Sequence, residues 1–317
     1  PTLRNVIGVI PGTDEALTGQ SVVVLAHVDH LGRGWPDVRS GNEGRIHPGA
    51  DDNASGVAVM LETARIISGT HRPARTLVFV ATSAEEWGLR GARRYIESME
   101  KWPAARALAV ISVDAVGRLA EGELLALGTG TATEWVHIAR GIGFTTAVLS
   151  TAVKDDPGGS DQVPFHEIGI PGIQLTTGAH QDYHRPSDTS DKIDAQGLVS
   201  VATWLREALL YLSERPDALT STLGVGQHRD PNPAQPQQGR RVMLGTVPDF
   251  TDTGPGVRID DVVEGSPAAR SGLRTGDRLL AIDDELITDL RGYALLLRQL
   301  EPGAEGVVKI GRDGETL

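Results

Sequence analysis

Short apolar runs bounded by turn residues alternate with amphipathic segments along residues 1–212. The apolar runs predict buried strands at residues 22–28, 76–81, 107–113 and 172–176. Apolar positions at helical spacing predict helices at residues 54–68, 91–98 and 195–212. Strands that alternate with helices in this way predict an α/β domain, in which a mostly parallel or mixed sheet is flanked by helices.

Residues 213–240 and 241–317 follow two different patterns. The first segment has Pro, Gln and Asn in place of core residues, which predicts an extended, semi-stiff linker. The second segment begins with strand patterns at RVMLGTV and GVRIDDVV, and a short helix, a hairpin and a longer helix follow them. This pattern predicts a small α+β domain. Only three residues follow its final turn, so we expect that a last strand is missing from this chain.

Composition narrows the classes of protein that the chain can belong to. The net charge of −12 argues against a nucleic-acid partner, because phosphate binding needs a basic surface. No run approaches the roughly 18 apolar residues of a membrane span. The absence of cysteine excludes disulfides and thiolate ligands, so any metal must be held by His, Asp and Glu. The chain starts at Pro1, and we expect an upstream segment that is either a removed signal peptide or a trimmed part.

Side chains that can bind metal follow the first predicted strand. His27 and Asp29, in AHVDHLG, lie two residues apart and therefore on one face of an ideal strand. Asp52, in GADDNASG, lies in a glycine-flanked turn just before a predicted helix. Capping of that helix by Asp52 or Asn53 is the structural alternative for this turn. Strand ends are where open α/β sheets bind ligands, which favours a site here.

The later strands are followed by further carboxylates and a histidine. Glu85 and Glu86 come after the second strand, and because neighbouring side chains point in different directions, one can bind metal while the other stays free as a base. The alternative for this pair is an acidic helix N-terminus. Asp114 follows the third strand and His184 the fourth. Two histidines and three carboxylates can hold two divalent ions with one bridging carboxylate, and such ligands suit zinc, cobalt or manganese.

The order HxD, DDNASG, EE, Asp after a strand, and YH resembles the di-zinc aminopeptidases, a group that includes secreted bacterial leucyl aminopeptidases and aminopeptidase S and belongs to metallopeptidase clan MH. The resemblance implies a three-layer zinc exopeptidase fold with two Zn²⁺ per chain. It implies that Asp52 bridges the ions, that Glu85 is the general base and that the peptide Asp52–Asn53 is cis. It implies that the remaining ligands form two pairs: His27 with Asp114, and Glu86 with His184.

The same resemblance implies roles for two further residues and a class of substrate. Asp29 matches a residue that orients His27, and Tyr183 matches a phenol beside the reacting carbonyl. The implied activity is removal of the first residue from peptides or proteins with a free N-terminus, in a secreted or periplasmic enzyme. Asp161 and Asp188 are weaker candidates, for which solvated loop carboxylates are the alternative. Nearby in sequence are also three histidines: His30, His47 and His180.

Residues 241–317 resemble a protease-associated bacterial PDZ domain, most specifically in GSPAARSGLRTGDRLLAIDDELI. The resemblance implies that a peptide pairs with the strand RVMLGTV, with Met243, Leu244 and Gly245 near the bound carboxylate. The alternative is a PDZ fold that serves only as a spacer or brace. For the first domain, three alternatives stay open: a one-zinc glutaminyl cyclase, a carboxypeptidase, and a non-catalytic peptide-binding protein.

Overall fold

Two β-sheets organise the chain, which a computed structural model describes over residues 3–36, 38, 41–224, 242–249, 252, 254–301, 303–312 and 315–317. In this described part, the first sheet has seven strands: β1 (Val6–Ile10), β2 (Ser21–His27), β3 (Thr76–Thr82), β4 (Ala107–Val113), β5 (Leu124–Leu127), β6 (Ser150–Val153) and β7 (Gly172–Thr176). The helices around it are α1 (Gly56–Thr70), α2 (Arg90–Ser98), α3 (Trp135–Thr146), α4 (Val163–Glu167) and α5 (Ala195–Glu214).

The first sheet is mixed, and its centre is parallel. Its strand order is β1-β3-β2-β4-β7-β5-β6. The four neighbours β3, β2, β4 and β7 run parallel to one another, whereas β1 and β5 pair antiparallel with β3 and β7. The carboxyl ends of the four central strands therefore meet at one edge of the sheet, where parallel sheets place their ligands.

Strand β2 shows why the sheet is covered on both faces. Every residue of β2 is buried. Alternate side chains point to opposite faces of a strand. Val22 and Val24 belong to the core cluster that contains residues of α1, α3 and α5, while Val23 and Leu25 join the cluster that contains residues of α2 and α4. An uninterrupted apolar run thus corresponds to a strand between two helical layers, and the predicted three-layer architecture is confirmed.

The second sheet belongs to the C-terminal region and has its own apolar core. Its strands are β8 (Thr246–Pro248), β9 (Val257–Val262), β10 (Arg278–Ile282), β11 (Glu285–Leu286), β12 (Val308–Arg312) and β13 (Glu315–Thr316). The order is β13-β12-β10-β9-β8, and β11 pairs with β10. Two helices accompany it: α6 (Pro267–Arg270) and α7 (Leu290–Gln299).

Three predicted boundaries need correction or comment. The strand expected over residues 241–247 is present only as β8, because residues 242–245 lie outside the strand, and residue 241 is outside the described residues. The linker does not begin at residue 213, since α5 continues to Glu214 and Leu219 is buried in the core of the first domain. Residues 225–240 of the predicted linker are outside the described residues. After the final turn, β13 pairs with β12, and the absence of a further strand stays a prediction.

Among the helices that the structure describes, none is both long enough and apolar enough to cross a membrane.

Candidate metal centre

Four parallel strands bring most of the predicted residues to one edge of the first sheet. His27 is the last residue of β2, and Asp114 directly follows β4. Glu85 and Glu86 lie in the turn after β3, where the N–H groups of Gly88 and Leu89 donate to the carbonyl of Glu85. The loop after β7 supplies Tyr183 and His184. Side chains that are distant in sequence converge because their strands share a direction.

Asp52 reaches the same edge from a helical turn, Ala50–Ser55, that precedes α1. The peptide bond Asp52–Asn53 is cis, as the resemblance implied. Asn53 has the structural role in this turn: its side chain accepts from the N–H of Gly56 at 3.0 Å and donates to the carbonyl of Val113 at 2.9 Å. Asp52 is therefore not needed as a helix cap, and its carboxylate faces two histidines.

The two oxygens of the Asp52 carboxylate contact two different sets of side chains. Its Oδ1 lies 3.2 Å from Nε2 of His27, which is also 3.3 Å from Oδ1 of Asp114. Its Oδ2 lies 3.2 Å from Nε2 of His184, which is also 3.3 Å from Oε2 of Glu86. Each oxygen of one carboxylate thus belongs to a different histidine–carboxylate set.

These spacings fit zinc. Zinc–nitrogen and zinc–oxygen bonds of about 2.0–2.1 Å in tetrahedral geometry separate neighbouring ligand atoms by about 3.3–3.4 Å. The four contacts of 3.2–3.3 Å match that separation. Oδ2 of Asp52 is buried, and the side chains described around it are those of His184 and His30. Every ion-pair partner that the structure describes for Asp52, Glu86 and Asp114 is a histidine, so these buried carboxylates have a cation-binding arrangement.

Asp29 contacts both halves of the site. Its backbone carbonyl lies 3.0 Å from Nδ1 of His27, which leaves Nε2 of His27 directed at Asp52 and Asp114. Its carboxylate accepts hydrogen bonds from the N–H groups of Glu85 at 3.1 Å and Glu86 at 3.3 Å. The resemblance implied that Asp29 orients His27, and in the structure the closest contact to the ring comes from its main chain.

The two neighbouring glutamates have pKa values shifted in opposite directions. Burial raises the pKa of Glu85 well above its usual range; His27 opposes this, and Glu86 adds to it. Burial also raises the pKa of Glu86, but the charge of His184 and the hydrogen bonds from His184 and His30 together outweigh it, and the pKa falls to about 2. Ligands must be deprotonated, whereas a general base needs a pKa near the operating pH. The shifts suit Glu86 as a ligand and Glu85 as a base.

His184 and His27 hold the carboxylate of Asp52 in its charged form. Burial would raise the pKa of Asp52, but hydrogen bonds from His184 and His27 lower it well below its usual range. For His27, burial lowers the pKa, and the carboxylates of Asp114 and Glu85 outweigh this, so that its pKa is raised well above the usual value. A metal ion that binds at this position would displace that proton.

Tyr183 and His184 lie together on the rim of the site. Their rings stack with centroids 4.0 Å apart and planes at 16°. Burial raises the pKa of Tyr183 above its usual range, so its phenol stays protonated and can donate a hydrogen bond. His184 has a left-handed backbone with φ +56°, and Ala84 and Ala115, beside Glu85 and Asp114, share this conformation. Such conformations are uncommon outside glycine and cluster at functional sites.

The two weaker candidates, Asp161 and Asp188, have different hydrogen-bond partners in the structure. Asp161 and Asp188 are fully buried, so the interpretation of both as solvated loop carboxylates was wrong. Asp188 accepts from the N–H groups of Asp51 and Asp52 and so supports the turn that carries Asp52. Asp161 accepts from the hydroxyl of Thr82.

Only one of the three nearby histidines contacts a proposed ligand among the described residues. Nδ1 of His30 lies 2.8 Å from Oε1 of Glu86. His180 lies beside Asp51, at 2.9 Å, and Nδ1 of His47 lies 3.0 Å from the carbonyl of Arg45. Motif spacing did not single out His30, because it differs from the other two only in its tertiary contact.

The Leu244–Gly245 loop of the C-terminal domain is held against the start of α6. The carbonyl of Leu244 accepts from the N–H of Ala268 at 2.8 Å, and that of Gly245 accepts from Val263 at 2.9 Å. Gly245 has φ +88°, and a side chain there would collide with Ser266. Strand β8, which follows this loop, pairs only with β9 in the described sheet. In the part of the chain that the structure describes, the other edge of β8 has no partner strand, which is the arrangement that strand addition requires.

A mixed sheet with histidines and carboxylates at the ends of its parallel strands is typical of zinc metallopeptidases. The chain belongs to peptidase family M28: the model of that family matches residues 5–209, and the model of a PDZ domain matches residues 243–317.

Known relatives agree with this assignment. Aminopeptidase YwaD of Bacillus subtilis is 32% identical over 164 residues, which are 48% of this chain and 35% of YwaD. The structure of BSAP, a zinc aminopeptidase from Bacillus subtilis, has a TM-score of 0.57 and 25% identity, over 69% of this chain and 53% of BSAP. Glutaminyl cyclase from Porphyromonas gingivalis has a TM-score of 0.56 and 19% identity, over 65% of this chain and 77% of that enzyme, and shares the fold. The chain spans about a third of YwaD and about half of BSAP.

Proposed function

We propose that this chain is an aminopeptidase that hydrolyses the first peptide bond of its substrate at a site for two zinc ions. The observation that carries the proposal is the position of the Asp52 carboxylate between two histidines. Its Oδ1 lies 3.2 Å from Nε2 of His27, and its Oδ2 lies 3.2 Å from Nε2 of His184. Asp114 completes one ligand set and Glu86 the other. A single ion would leave one of these two sets empty, so the arrangement favours two ions over the single zinc of a glutaminyl cyclase.

Glu85 is the proposed general base. Zinc ions bound at this site would polarise the reacting carbonyl and lower the pKa of an attacking water. Glu85 is half-buried, its pKa is raised, and Asp29 holds its backbone, so it can accept the proton of that water and pass it to the leaving amine. The protonated phenol of Tyr183 can donate to the oxygen of the reacting carbonyl as negative charge develops there.

The proposed substrates are peptides or proteins with a free N-terminus. The names of YwaD and BSAP describe aminopeptidases, which supports this class of substrate for the present chain. The resemblance of the sequence motifs to secreted bacterial leucyl aminopeptidases supports a secreted or periplasmic location. In the PDZ domain, we propose that a peptide adds to the edge of β8, near Met243, Leu244 and Gly245.

Hydrolysis of an aminoacyl-anilide by zinc-free protein, measured during titration with Zn²⁺, tests the proposal. We expect activity to require zinc and metal analysis to give two ions per chain at saturation. N-terminally blocked substrates should not be cleaved. Saturation at one ion would contradict the two-zinc site, and cleavage of blocked peptides at their C-terminus would indicate a carboxypeptidase.

A further inference from the structure

His30 is the one nearby histidine that reaches the metal centre without belonging to the proposed ligand set. Its Nδ1 lies 2.8 Å from Oε1 of Glu86 and 3.8 Å from Oδ2 of Asp52, and these three residues can offer ligand atoms to a common ion. Its ring lies edge-on to that of His184, with centroids 5.8 Å apart. Two roles fit such a position: an additional ligand, or a hydrogen-bond donor that holds Glu86.

The distances distinguish the two roles. The four contacts of the proposed ligands are 3.2–3.3 Å, which is the separation of about 3.3–3.4 Å expected between ligands of one tetrahedral zinc ion. The two contacts of His30 lie on either side of that value, at 2.8 and 3.8 Å. A separation of 2.8 Å between nitrogen and oxygen is typical of a charge-assisted hydrogen bond.

The two oxygens of Glu86 therefore have different partners. Oε1 contacts Nδ1 of His30 and Oε2 contacts Nε2 of His184. A hydrogen bond to Oε1 fixes the rotation of the carboxylate and directs Oε2 toward the position between His184 and Asp52. Glu85 has no such contact with His30 in the described structure, although it is the neighbour of Glu86.

The ring of His30 occupies a space that the backbone keeps open for it. Gly49 has φ +64°, and a Cβ atom there would lie 2.6 Å from Cγ and 2.7 Å from Cδ2 of His30. Any side chain at position 49 would displace the ring or the turn that carries Asp52. Glycine at this point permits the His30 ring and the bridging residue to pack together.

We propose that His30 is a positioning residue, which donates its Nδ1–H to Oε1 of Glu86. Oε2 of Glu86 is thereby directed toward the zinc ion that Glu86 and His184 would hold. This proposal rests on the two-zinc function proposed above. Outer hydrogen bonds to metal ligands typically change metal affinity by about 10–100-fold when they are removed. The contact with His30 thereby orients Glu86 for metal binding, whereas Glu85, which lacks this contact in the described structure, stays free to act as the base.

The test compares two substitutions of His30 in the full chain. His30→Asn places an amide N–H close to the position of Nδ1, whereas His30→Leu has no donor. The measurement is the affinity of each of the two zinc ions, by competition with a chromophoric chelator. We expect His30→Leu to weaken one ion by about 10–100-fold and leave the other within threefold. We expect His30→Asn to recover most of that loss.

His47→Leu is the matched control, since His47 is also buried but contacts none of the proposed ligands in the described structure. It should leave both zinc affinities unchanged. Wild-type affinity in folded His30→Leu would overturn the proposal. Equal losses in His30→Asn and His30→Leu would also overturn it and indicate a direct ligand. Binding of only one zinc ion by the wild-type chain would instead refute the two-zinc function. That outcome can be told apart from failure of the His30 proposal because it is measured without the variants.

Discussion

The carboxylate of Asp29 accepts a hydrogen bond from the backbone N–H of Glu85 at 3.1 Å, and a second from Glu86 at 3.3 Å. The end of β2 is thereby tied to the turn after β3. The side chain of Asp29 fixes the backbone that carries the proposed base, while its main-chain carbonyl contacts His27. Substitution of the side chain can therefore disturb the glutamates and leave the contact to His27 in place.

Asp29→Ala should lower kcat by about 10–100-fold, the usual range for residues that support a metal site from outside. The reason is that two backbone N–H groups lose their acceptor, which loosens Glu85 and Glu86 together. Steady-state kinetics with zinc at saturation measures the effect. Asp29→Asn, which keeps one acceptor oxygen, should lose less activity. A kcat within twofold of wild type in Asp29→Ala would contradict this role.

Glu85→Gln should lower kcat by about 10²–10⁴-fold and leave two zinc ions bound. The substitution keeps the shape of the side chain but removes its basic oxygen. Glu86→Gln is the matched control: it should weaken the binding of one zinc ion, because Oε2 of Glu86 belongs to a ligand set. Metal analysis beside kinetics separates the two outcomes. If Glu85→Gln keeps more than about a tenth of wild-type kcat, the base is assigned to the wrong residue.

Asp161 gives the metal-free protein a predictable dependence of stability on pH. Burial raises its pKa to about 6, with His27 opposing and Asp114 and Asp29 adding to the effect. An unfolded aspartate loses its proton near pH 4. The native state therefore keeps a proton that the unfolded state has lost, and this carboxyl contributes a loss of stability as the pH rises from about 4 to about 6.

We expect Asp161→Asn to stabilise the chelated protein above pH 6, by on the order of 2 kcal/mol, and to change little at pH 4. Thermal unfolding of wild type and variant in chelator, from pH 4 to 8, measures the difference. Asp156→Asn is a control of opposite sign: burial raises the pKa of Asp156, but the contacts with His166 and the hydrogen bonds from Gly158 and Gln162 together outweigh this and lower it. The stability that Asp156 contributes is lost only below about pH 4, so this variant should be less stable than wild type throughout the range and show no gain between pH 4 and pH 6. A difference between wild type and Asp161→Asn that is the same at every pH would refute this role of Asp161.

The central strands could be predicted from sequence because each is an apolar run buried on both faces. β4 and β7 begin and end as predicted. β5 and β6 were not predicted, and the reason is physical: each has only four residues, and β6 is half-buried, so neither gives a long apolar run. Helix α3 was also missed, because its last turns contain glycine and threonine, which have low helix propensity. It forms because Trp135, Ile138 and Ile142 face the core.

The proposed ligands could be selected from sequence because each follows a strand or lies in a conspicuous turn. Their supporting residues could not be selected in this way. Asp188 contacts the backbone of Asp51, which is 137 positions away, and no local pattern reports that contact. His30, His47 and His180 have similar distances in sequence from the motifs, and only tertiary contacts, with Glu86 and with Gly49, distinguish His30. Tertiary contacts of polar side chains were thus the part that sequence patterns could not supply.

The end of the first domain lies beyond α5. Arg75 is buried, and its Nη1 donates to the carbonyls of Leu212 at 2.7 Å and Arg215 at 2.9 Å. Leu219 is buried in the main core, and the N–H of Thr220 donates to the carboxylate of Glu134. A boundary at residue 212, which the sequence pattern favoured, would remove these contacts and leave a buried guanidinium with fewer acceptors.

A chain that ends at Gly224 should therefore fold and cleave small aminoacyl substrates with kcat/KM within a few-fold of the full chain. A chain that ends at Leu212 should be less stable, by roughly 3–5 kcal/mol, because it loses the burial of Leu219 and acceptors of Arg75. Chemical unfolding of both chains measures this. Equal stability of the two would show that residues 213–224 contribute nothing to the fold.

Removal of the PDZ domain should have a second effect, on long substrates only. Gln181, in the loop that carries Tyr183, donates to Asp261 of β9 at 2.8 Å, so the domain contacts the rim of the site through an exposed hydrogen bond. An exposed contact of this kind contributes little to stability, on the order of 1 kcal/mol or less, so small substrates should be unaffected. Long peptides should be cleaved more slowly by the chain ending at Gly224, since in the full chain a peptide bound to the PDZ domain has a raised local concentration at the site.

Gln181→Ala in the full chain is the control: it removes the contact but keeps the domain, and it should retain activity on long peptides. Equal rates on every substrate after truncation would reduce the domain to a spacer, whereas loss of small-substrate activity would show that it helps to form the site.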